Sequence, residues 1–408
     1  MKNRKNRIVI VGRNYCNLLA MTRAFGKAGY KCDILRLYKK KPSPLRPMAA
    51  LHPESESMYT ASYHTFIMDG REEDFSGELL KLGNTLTRPL LVAVDDYSLD
   101  LLDSRYEELK NDFILSSVNE SEGEISRMMD KNMMKEKALQ AGLPVLGSRL
   151  VTSSEGKYTL PSGITYPCFI KPNVSKNSTK GIMRKCDGEE ELRAALDRYA
   201  AKDDFQILVE DFADIKCEYS VLGYSTGTES ISPGIFRVTS GGHRERKGVA
   251  VTGTIEDRNA YSTIIEQCNA FITSLNYKGL FDVDLLETKD GKLYFIELNF
   301  RAGASIHLFT ETGKNIPAMY ASEVLEQEKT PVAEETCKMG FSFISEKVLI
   351  EEYVRSDIDK KKALQLYNDA DVHFIHDAVD SRPYEYFKRV RIIGPLMRAA
   401  YKIKDAIR

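Results

Sequence analysis

The chain has 408 residues, 42% hydrophobic and 29% charged, and its 58 Lys and Arg nearly balance 59 Asp and Glu. That length supports two or three domains with cores of their own. The even balance excludes a global field that would steer the protein onto nucleic acid, so any charged ligand must be held by a local site. Seven cysteines (16, 32, 168, 186, 217, 268 and 337) lie in apolar contexts with no CxxC pair, which reads as reduced thiols rather than a disulfide frame or zinc site. The basic start MKNRKNRIVIVG leads into an apolar run too short for a signal segment or a membrane span, and a cytoplasmic protein is expected.

In chain order, RIVIVGRNYCNLLAMTRAFGKAGYKCDILRLY predicts a strand, a Gly turn, a helix ending near Gly29 and a second strand over Cys32 to Leu37. This is a β-α-β unit of a parallel sheet. The single Gly12 does not make a dinucleotide fingerprint, which needs three glycines and a later acid, so simple strand-helix punctuation is the better reading. From Pro89, PLLVAVDDYSLDLL repeats the pattern, with Asp95 and Asp96 read as helix caps. The polar stretch Ser116 to Glu124 then marks a boundary, so residues 1–125 are expected to form a first α/β domain.

DKNMMKEKALQAGLPV reads as a helix stopped by Gly and Pro, TYPCFIKPN as a strand, and VSKNSTKG as a polar loop leading to a strand at IMRKC. EEELRAALDRYA is an amphipathic helix, and FQILVEDF is a buried strand with an acidic end. CEYSVLGYS, GIFRVTS and GVAVTGTI are expected in one antiparallel sheet. IEQCNAFITSLNY is a helix, and GLFDVDLLETKDGKLYFIELN is a hairpin turning at Lys289-Asp290-Gly291. Residues 329–408 are expected to be mostly helical.

FIELNFR, Phe295 to Arg301, places Glu297, Asn299 and Arg301 at alternate positions in an apolar run. Alternate side chains of a strand share a face. A buried carboxylate is costly unless it is paired or ligates a cation, so the stripe asks for a partner. The hairpin brings Asp284 against Glu297 and Asn299, and two carboxylates with an amide oxygen suit magnesium shared with phosphate oxygens. Metal binding fits better than a solvated Glu297–Arg301 pair.

These residues resemble the closing motif of the ATP-grasp ligases, among them D-alanine-D-alanine ligase, biotin carboxylase and the carbamoyl phosphate synthetase large chain. The resemblance covers about residues 128 to 325, with a Rossmann-like pre-ATP-grasp domain before it. It implies α/β and α+β architecture: a small lobe over 126–212 and a large lobe over 213–328 clamping ATP, then a helical extension over 329–408. It also implies roles residue by residue. Lys131 and Lys171 reach the ATP phosphates, and the loop after Lys171 folds over them with Lys176 or Lys180, although it carries one glycine where the family is glycine-rich. Glu210 and the backbone about Asp211 to Phe212 read adenine, and Glu218 holds the ribose. Asp284, Glu297 and Asn299 ligate magnesium, and Arg301, with Lys171, stabilises the transferred phosphoryl group. The implied cofactors are ATP and magnesium, two ions, with manganese able to substitute.

The implied reaction joins a carboxylate and an amine through an acyl phosphate, releasing ADP and phosphate. The overall layout looks closest to ligases similar to D-aspartate ligase, which points to an amino acid or a cell-envelope precursor. His243, Arg244, Arg246 and Arg258, with His307, are candidates for the acceptor pocket, beside the alternatives of an exposed hairpin tip and a core histidine. The rival readings are a kinase-like or carboxyphosphate-forming enzyme of the same fold, and an ATP-binding regulatory or scaffolding protein with reduced chemistry. The basic tail YFKRVRIIGPLMRAAYKIKDAIR, with Leu396, Ala400, Ile403 and Ile407 on one helical face, could meet an anionic membrane at its inner surface or dock on its own domain. Expected partners are small-molecule carboxylate and amine substrates, no nucleic acid, and a second copy in a homodimer.

Overall fold

The computed structural model describes residues 7–42, 51–83, 88–174, 183–201, 204–241, 250–328, 339–354 and 358–389. The chain begins with a four-stranded, all-parallel sheet of β1 (Arg7–Gly12), β2 (Lys31–Tyr38), β3 (Thr60–Ile67) and β4 (Leu90–Ala93), in the order β3-β2-β1-β4. The apolar run in β1 is buried on both faces because it is central, with the helix Tyr15–Lys27 packed beside it. Asn14 caps that helix, its side chain accepting from the Cys16 N–H at 3.0 Å. Gly12 is demanded by packing, since a Cβ there would sit 2.2 Å from Val94 Cγ2. Of the two caps expected from sequence, Asp95 is one, accepting from the Ser98 N–H at 3.1 Å, whereas Asp96 is the first residue of the helix Asp96–Asp103 and its carboxylate accepts from Arg301.

The stretch read as a boundary contains β5 (Ser117–Val118), which pairs with the strand Tyr277–Thr288 of the large sheet. A five-stranded antiparallel sheet follows, made of β6 (Ser148–Ser154), β7 (Lys157–Tyr158), β8 (Cys168–Pro172), β9 (Arg184–Cys186) and β10 (Gln206–Asp211), in the order β7-β6-β10-β8-β9. The helix Glu189–Ala200 covers it, and Ile170, Leu192, Leu196, Ile207 and Val209 form a core separate from the others.

The large sheet contains β11 (Ile215–Thr226), β12 (Ser230–Gly241), β13 (Ala250–Glu256), β14 (Tyr277–Thr288), β15 (Leu293–Asn299), β16 (Ser342–Ile344) and β17 (Val372–His373), in the order β15-β14-β11-β12-β13-β16-β17. The β14–β15 hairpin turns where expected, with Gly291 at φ +81° and its N–H donating to Thr288 O at 2.8 Å. The described part of the C-terminal region is mostly helical, but β16 and β17 extend the large sheet rather than standing apart from it. Its helices are Glu346–Val354, Lys360–Asp369 and Arg382–Arg389. Among the described residues no helix is long and apolar enough to cross a membrane. The basic tail, 390–408, lies outside them.

One buried ion pair ties the C-terminal segment to the first helix, and another lies within the first domain. Arg23 of the first helix is fully buried and reaches Asp380, while Arg36 on β2 pairs with Glu54 at 2.8 Å. Burial pushes the Glu54 carboxyl up to about 7, against the pull of Arg36. A carboxyl raised in the folded state ionises more readily when unfolded, so stability is expected to fall as pH rises from about 4.5 to about 7 and to level above that. Urea midpoints across this window test it, with Glu54→Gln expected to flatten the slope.

Candidate active site

The polar stripe in β15 depends on a β-bulge. Asp284 lies opposite Glu297 and Asp282 opposite Asn299, but Leu285 lies opposite Phe295, so Ile296 is the extra residue. Strict alternation would put Phe295 on the Glu297 face. The bulge instead sends Phe295 into the core with Leu298 and Phe300, at 0%, 7% and 1% exposure, and leaves Glu297 and Asn299 facing Asp284.

On that face the side chains are linked. Asn299 Nδ2 donates to Asp284 Oδ2 at 3.0 Å, and Ser220 on β11 donates to Asp284 Oδ1 at 3.1 Å. Arg301 Nη2 donates to Asn299 Oδ1 at 3.2 Å, and its Nε donates to Asp96 Oδ1 at 2.9 Å at the carboxyl end of β4. Lys131 Nζ donates to Glu297 Oε2 across the lobes. Lys131 opens the helix Lys131–Gln140, whose N-cap Asp130 accepts from the Met133 N–H at 2.8 Å. Buried Asn173 holds this helix start against β8. Its Nδ2 donates to Asp130 at 2.6 Å, its Oδ1 accepts from the Asn132 N–H at 2.9 Å, and its carbonyl accepts from the Lys131 N–H at 3.0 Å.

A second cluster sits at the junction of the lobes. Glu210, 5% exposed, accepts from Lys135 at 2.6 Å and faces Lys171 at 3.0 Å. Two ammonium groups on one carboxylate leave a surplus positive charge in a buried place, which suits an anion such as a polyphosphate. Burial pushes Glu210 up, but Lys171 and Lys135 pull it below the usual carboxylate range. Lys135 ends below its ordinary value because burial outweighs the attraction of Glu210. The short contacts identify the triad as charged and paired.

The first cluster has the opposite imbalance. Asp282, Asp284 and Glu297, with Asp96 at the rim, face two cations, Lys131 and Arg301, an excess of two negative charges when all are ionised. Burial pushes Asp284 well above the usual range, and Asp282 and Glu297 add to that. Burial also raises Glu297, but Lys131 beside it, with Lys171 and Arg301, brings it down to about 2. Burial lowers Lys131, and Glu297 more than restores it.

The structure thus brings Lys131, Asp284, Glu297, Asn299 and Arg301 together, and joins Lys171 to Glu210. Glu218 projects from the same face of β11 as Ser220, opposite Leu286. The expected adenine contacts are in other hands: both Glu210 oxygens meet lysines, and the Phe212 N–H donates to Pro167 O at 3.3 Å. The Phe212 ring is 38% exposed with Lys185 over it at 4.9 Å. An adenine reader at these positions would need these contacts to give way. Lys176 and Lys180, and His243, Arg244 and Arg246, lie outside the described residues. Arg258 donates to Ser232 O at 3.4 Å. His307 belongs to the core: it is 1% exposed, Nε2 lies 3.1 Å from His373 O, and burial holds its pKa down to about 3. Its neighbours are the buried rings and carbonyls of the C-terminal segment, which no local pattern around residue 307 could reveal.

Sequence reasoning missed Asp282, Ser220, Asp96, Lys135 and Asn173. Two signals were available. Asp282 is two residues before Asp284 in FDVD, hence on its face, and Lys135 is one helical turn after Lys131.

The D-ala D-ala ligase C-terminus family model matches residues 140–321. A D-alanine--D-alanine ligase of Synechococcus sp. (strain RCC307) is 41% identical over 102 residues, 23% of this chain and 29% of that protein. Its counterpart in Geobacillus thermodenitrificans (strain NG80-2) is 28% identical over 188 residues, 43% of this chain and 51% of that protein. The chain spans about half the length, or less, of these curated relatives. Among solved structures, an L-amino acid ligase from Bacillus licheniformis superposes with a TM-score of 0.61 at 15% identity, covering 84% of this chain and 80% of that one. The biotin carboxylase domain of Hydrogenobacter thermophilus 2-oxoglutarate carboxylase, solved with magnesium-ADP and bicarbonate, has a TM-score of 0.61 at 15% identity and covers 82% of this chain and 73% of that one. With this architecture shared over most of its length, and the family model seated on the sheets that carry the carboxylates, the chain has the ATP-grasp fold.

Proposed function

We propose that this protein is an ATP- and magnesium-dependent carboxylate-amine ligase that works through an acyl phosphate. The observation that carries the reading is the pairing of two oppositely unbalanced clusters: surplus positive charge at Lys135, Glu210 and Lys171, and surplus negative charge at Asp284 and Glu297. A magnesium nucleotide offers both complements at once. The donor set also fits the metal. Among the described residues no group of three His, Cys, Asp or Glu is arranged to hold an ion alone, so Asp284, Glu297 and the Asn299 amide would share it with phosphate oxygens. Magnesium bound there would neutralise phosphate charge and align the transferred group.

The remaining work falls to the chain's own residues. Lys131, now on Glu297, would turn to the phosphates, with Lys171 fixing their position from β8. Arg301 would carry charge on the phosphoryl group as the bond from the γ-phosphorus to ADP breaks and a bond to the substrate carboxylate oxygen forms. The amine then forms the C–N bond, loses a proton, and phosphate leaves with the bonding pair. Closure of the small lobe (126–212) on the large lobe (213–328) would keep water from the acyl phosphate. The separate core of the small lobe allows such a movement. The likeness to ligases of amino acids supports an amino acid substrate, whose carboxylate Arg301 would face.

The test is ADP release from magnesium-ATP against panels of amino acids, carboxylates and amines. Release that requires both a carboxylate and an amine is the expected result. ATP binding without stimulated release would move the assignment to an ATP-binding regulatory or scaffolding protein.

A further inference from the structure

One group at this site is left without a role by the reading above. Asp282 is 5% exposed, and its Oδ1 is buried with no hydrogen-bond partner. A carboxylate in that position needs a cation when the protein works. The nearby cations make their hydrogen bonds elsewhere, Arg301 to Asp96 and Asn299 and Lys131 to Glu297, so that Arg301 acts on Asp282 only through space. The three carboxylates Asp282, Asp284 and Glu297 are not arranged as one metal site.

Position separates Asp282 from the magnesium set. Along β15 the order is Glu297, Asn299, then Arg301, and across the hairpin Asp284 faces Glu297 while Asp282 faces Asn299. Lys131 meets the cluster at the Glu297 end. Asp282 therefore lies toward Arg301, on the side away from the phosphate-binding lysine. In an in-line phosphoryl transfer the acceptor sits beyond the γ-phosphate, opposite the leaving ADP. The loop after Arg301 comes down on the same carboxylate: a Cβ on Gly303 would stand 2.1 Å from Asp282 Oδ2. Glycine there keeps the carboxylate uncrowded where any larger residue would displace it.

Resting on the ligase reading, we infer that Asp282 binds the α-ammonium of the substrate whose carboxylate is phosphorylated beside Arg301, so that this substrate is a zwitterionic α-amino acid. A guanidinium and a carboxylate side by side match the carboxylate and ammonium that such a molecule carries on one carbon. A neutral carboxylic acid would leave Asp282 uncompensated and would be selected against.

ADP release is measured with α-amino acids and with the same acids lacking the amino group, for the wild type and for Asp282→Asn. The wild type is expected to show a KM for its amino acid at least about tenfold below that for the desamino acid, as for a charge-assisted hydrogen bond. The Asp282→Asn variant is expected to raise the amino-acid KM about tenfold or more, to leave the desamino KM in place, and to keep the wild-type Kd for magnesium-ATP. A wild type that uses both acids equally overturns the proposal, whatever the variant does. So does a variant with undiminished discrimination, or one whose loss is restored by more magnesium. Should Asp282→Asn fail to fold, Asp282→Ser gives the same comparison. A wild type that releases ADP with no carboxylate at all overturns the ligase reading itself, which distinguishes that failure from failure of the Asp282 assignment.

Discussion

Turnover by the Glu297→Gln protein is expected to fall by about 10²–10³-fold or more, the range seen when one preorganised electrostatic contact to a developing charge is lost. Glu297 is the one carboxylate of its cluster that is held down to about 2, so it is the most firmly ionised and the strongest anchor for a cation. The amide keeps the shape and removes the charge. Asp284 and Asn299 remain but would supply a single carboxylate and an amide. Lys131 loses its present partner too, so its position should loosen. The measurement is ADP release at saturating ATP over a magnesium titration, with calorimetric magnesium-ADP binding as a second readout. A rate within twofold of wild type would remove Glu297 from the chemistry.

Arg23→Ala is expected to destabilise the fold by about 3–5 kcal/mol, the loss typical when one member of a buried ion pair is removed. The guanidinium is fully buried and saturated: Nε meets Asp380 at 2.9 Å, Nη1 meets Phe374 O at 2.9 Å, and Nη2 meets Ile375 O at 2.9 Å and Asp380 O at 3.0 Å. Alanine leaves those carbonyls without this donor and the Asp380 carboxylate without its cation. Asp380 also accepts from Ser57 Oγ at 2.8 Å and the Met58 N–H at 2.9 Å, so the loss reaches the first sheet. Lysine should not rescue, because one ammonium cannot replace a planar fork of donors. Urea denaturation gives the magnitude, and faster proteolysis near residues 374–380 gives the location. An unchanged midpoint would show that the contacts contribute little net stability.

Much of the architecture was legible because it rests on local periodicity. The helix Glu189–Ala200 and the strands around Ile170, Val209 and Val283 were read from patterns of 3.6 and 2, and the hairpin from Lys289-Asp290-Gly291. β3 went unread because it is an edge strand, and Phe66 is its only buried side chain in TASYHTFI. β16 and β17 are three and two residues long, too short for any period, and exist because β13 offers an edge to pair with.

By itself the sequence determined that Glu297, Asn299 and Arg301 would share one face through two-residue alternation, and that a tight hairpin would set Asp284 on the neighbouring strand; the regular register from the turn would pair Asp284 with Ile296, and only the bulge brings it to Glu297. The tertiary structure alone decided how that face is balanced. The bulge at Ile296 turns Phe295 into the core, Lys131 crosses from another lobe to Glu297, and Asp96 reaches Arg301 from the first sheet. It also buried Glu210 between two lysines, and left Asp282 Oδ1 without a hydrogen-bond partner. Burial and long-range charge are properties of packed neighbours distant in sequence, so no window of the chain contains them.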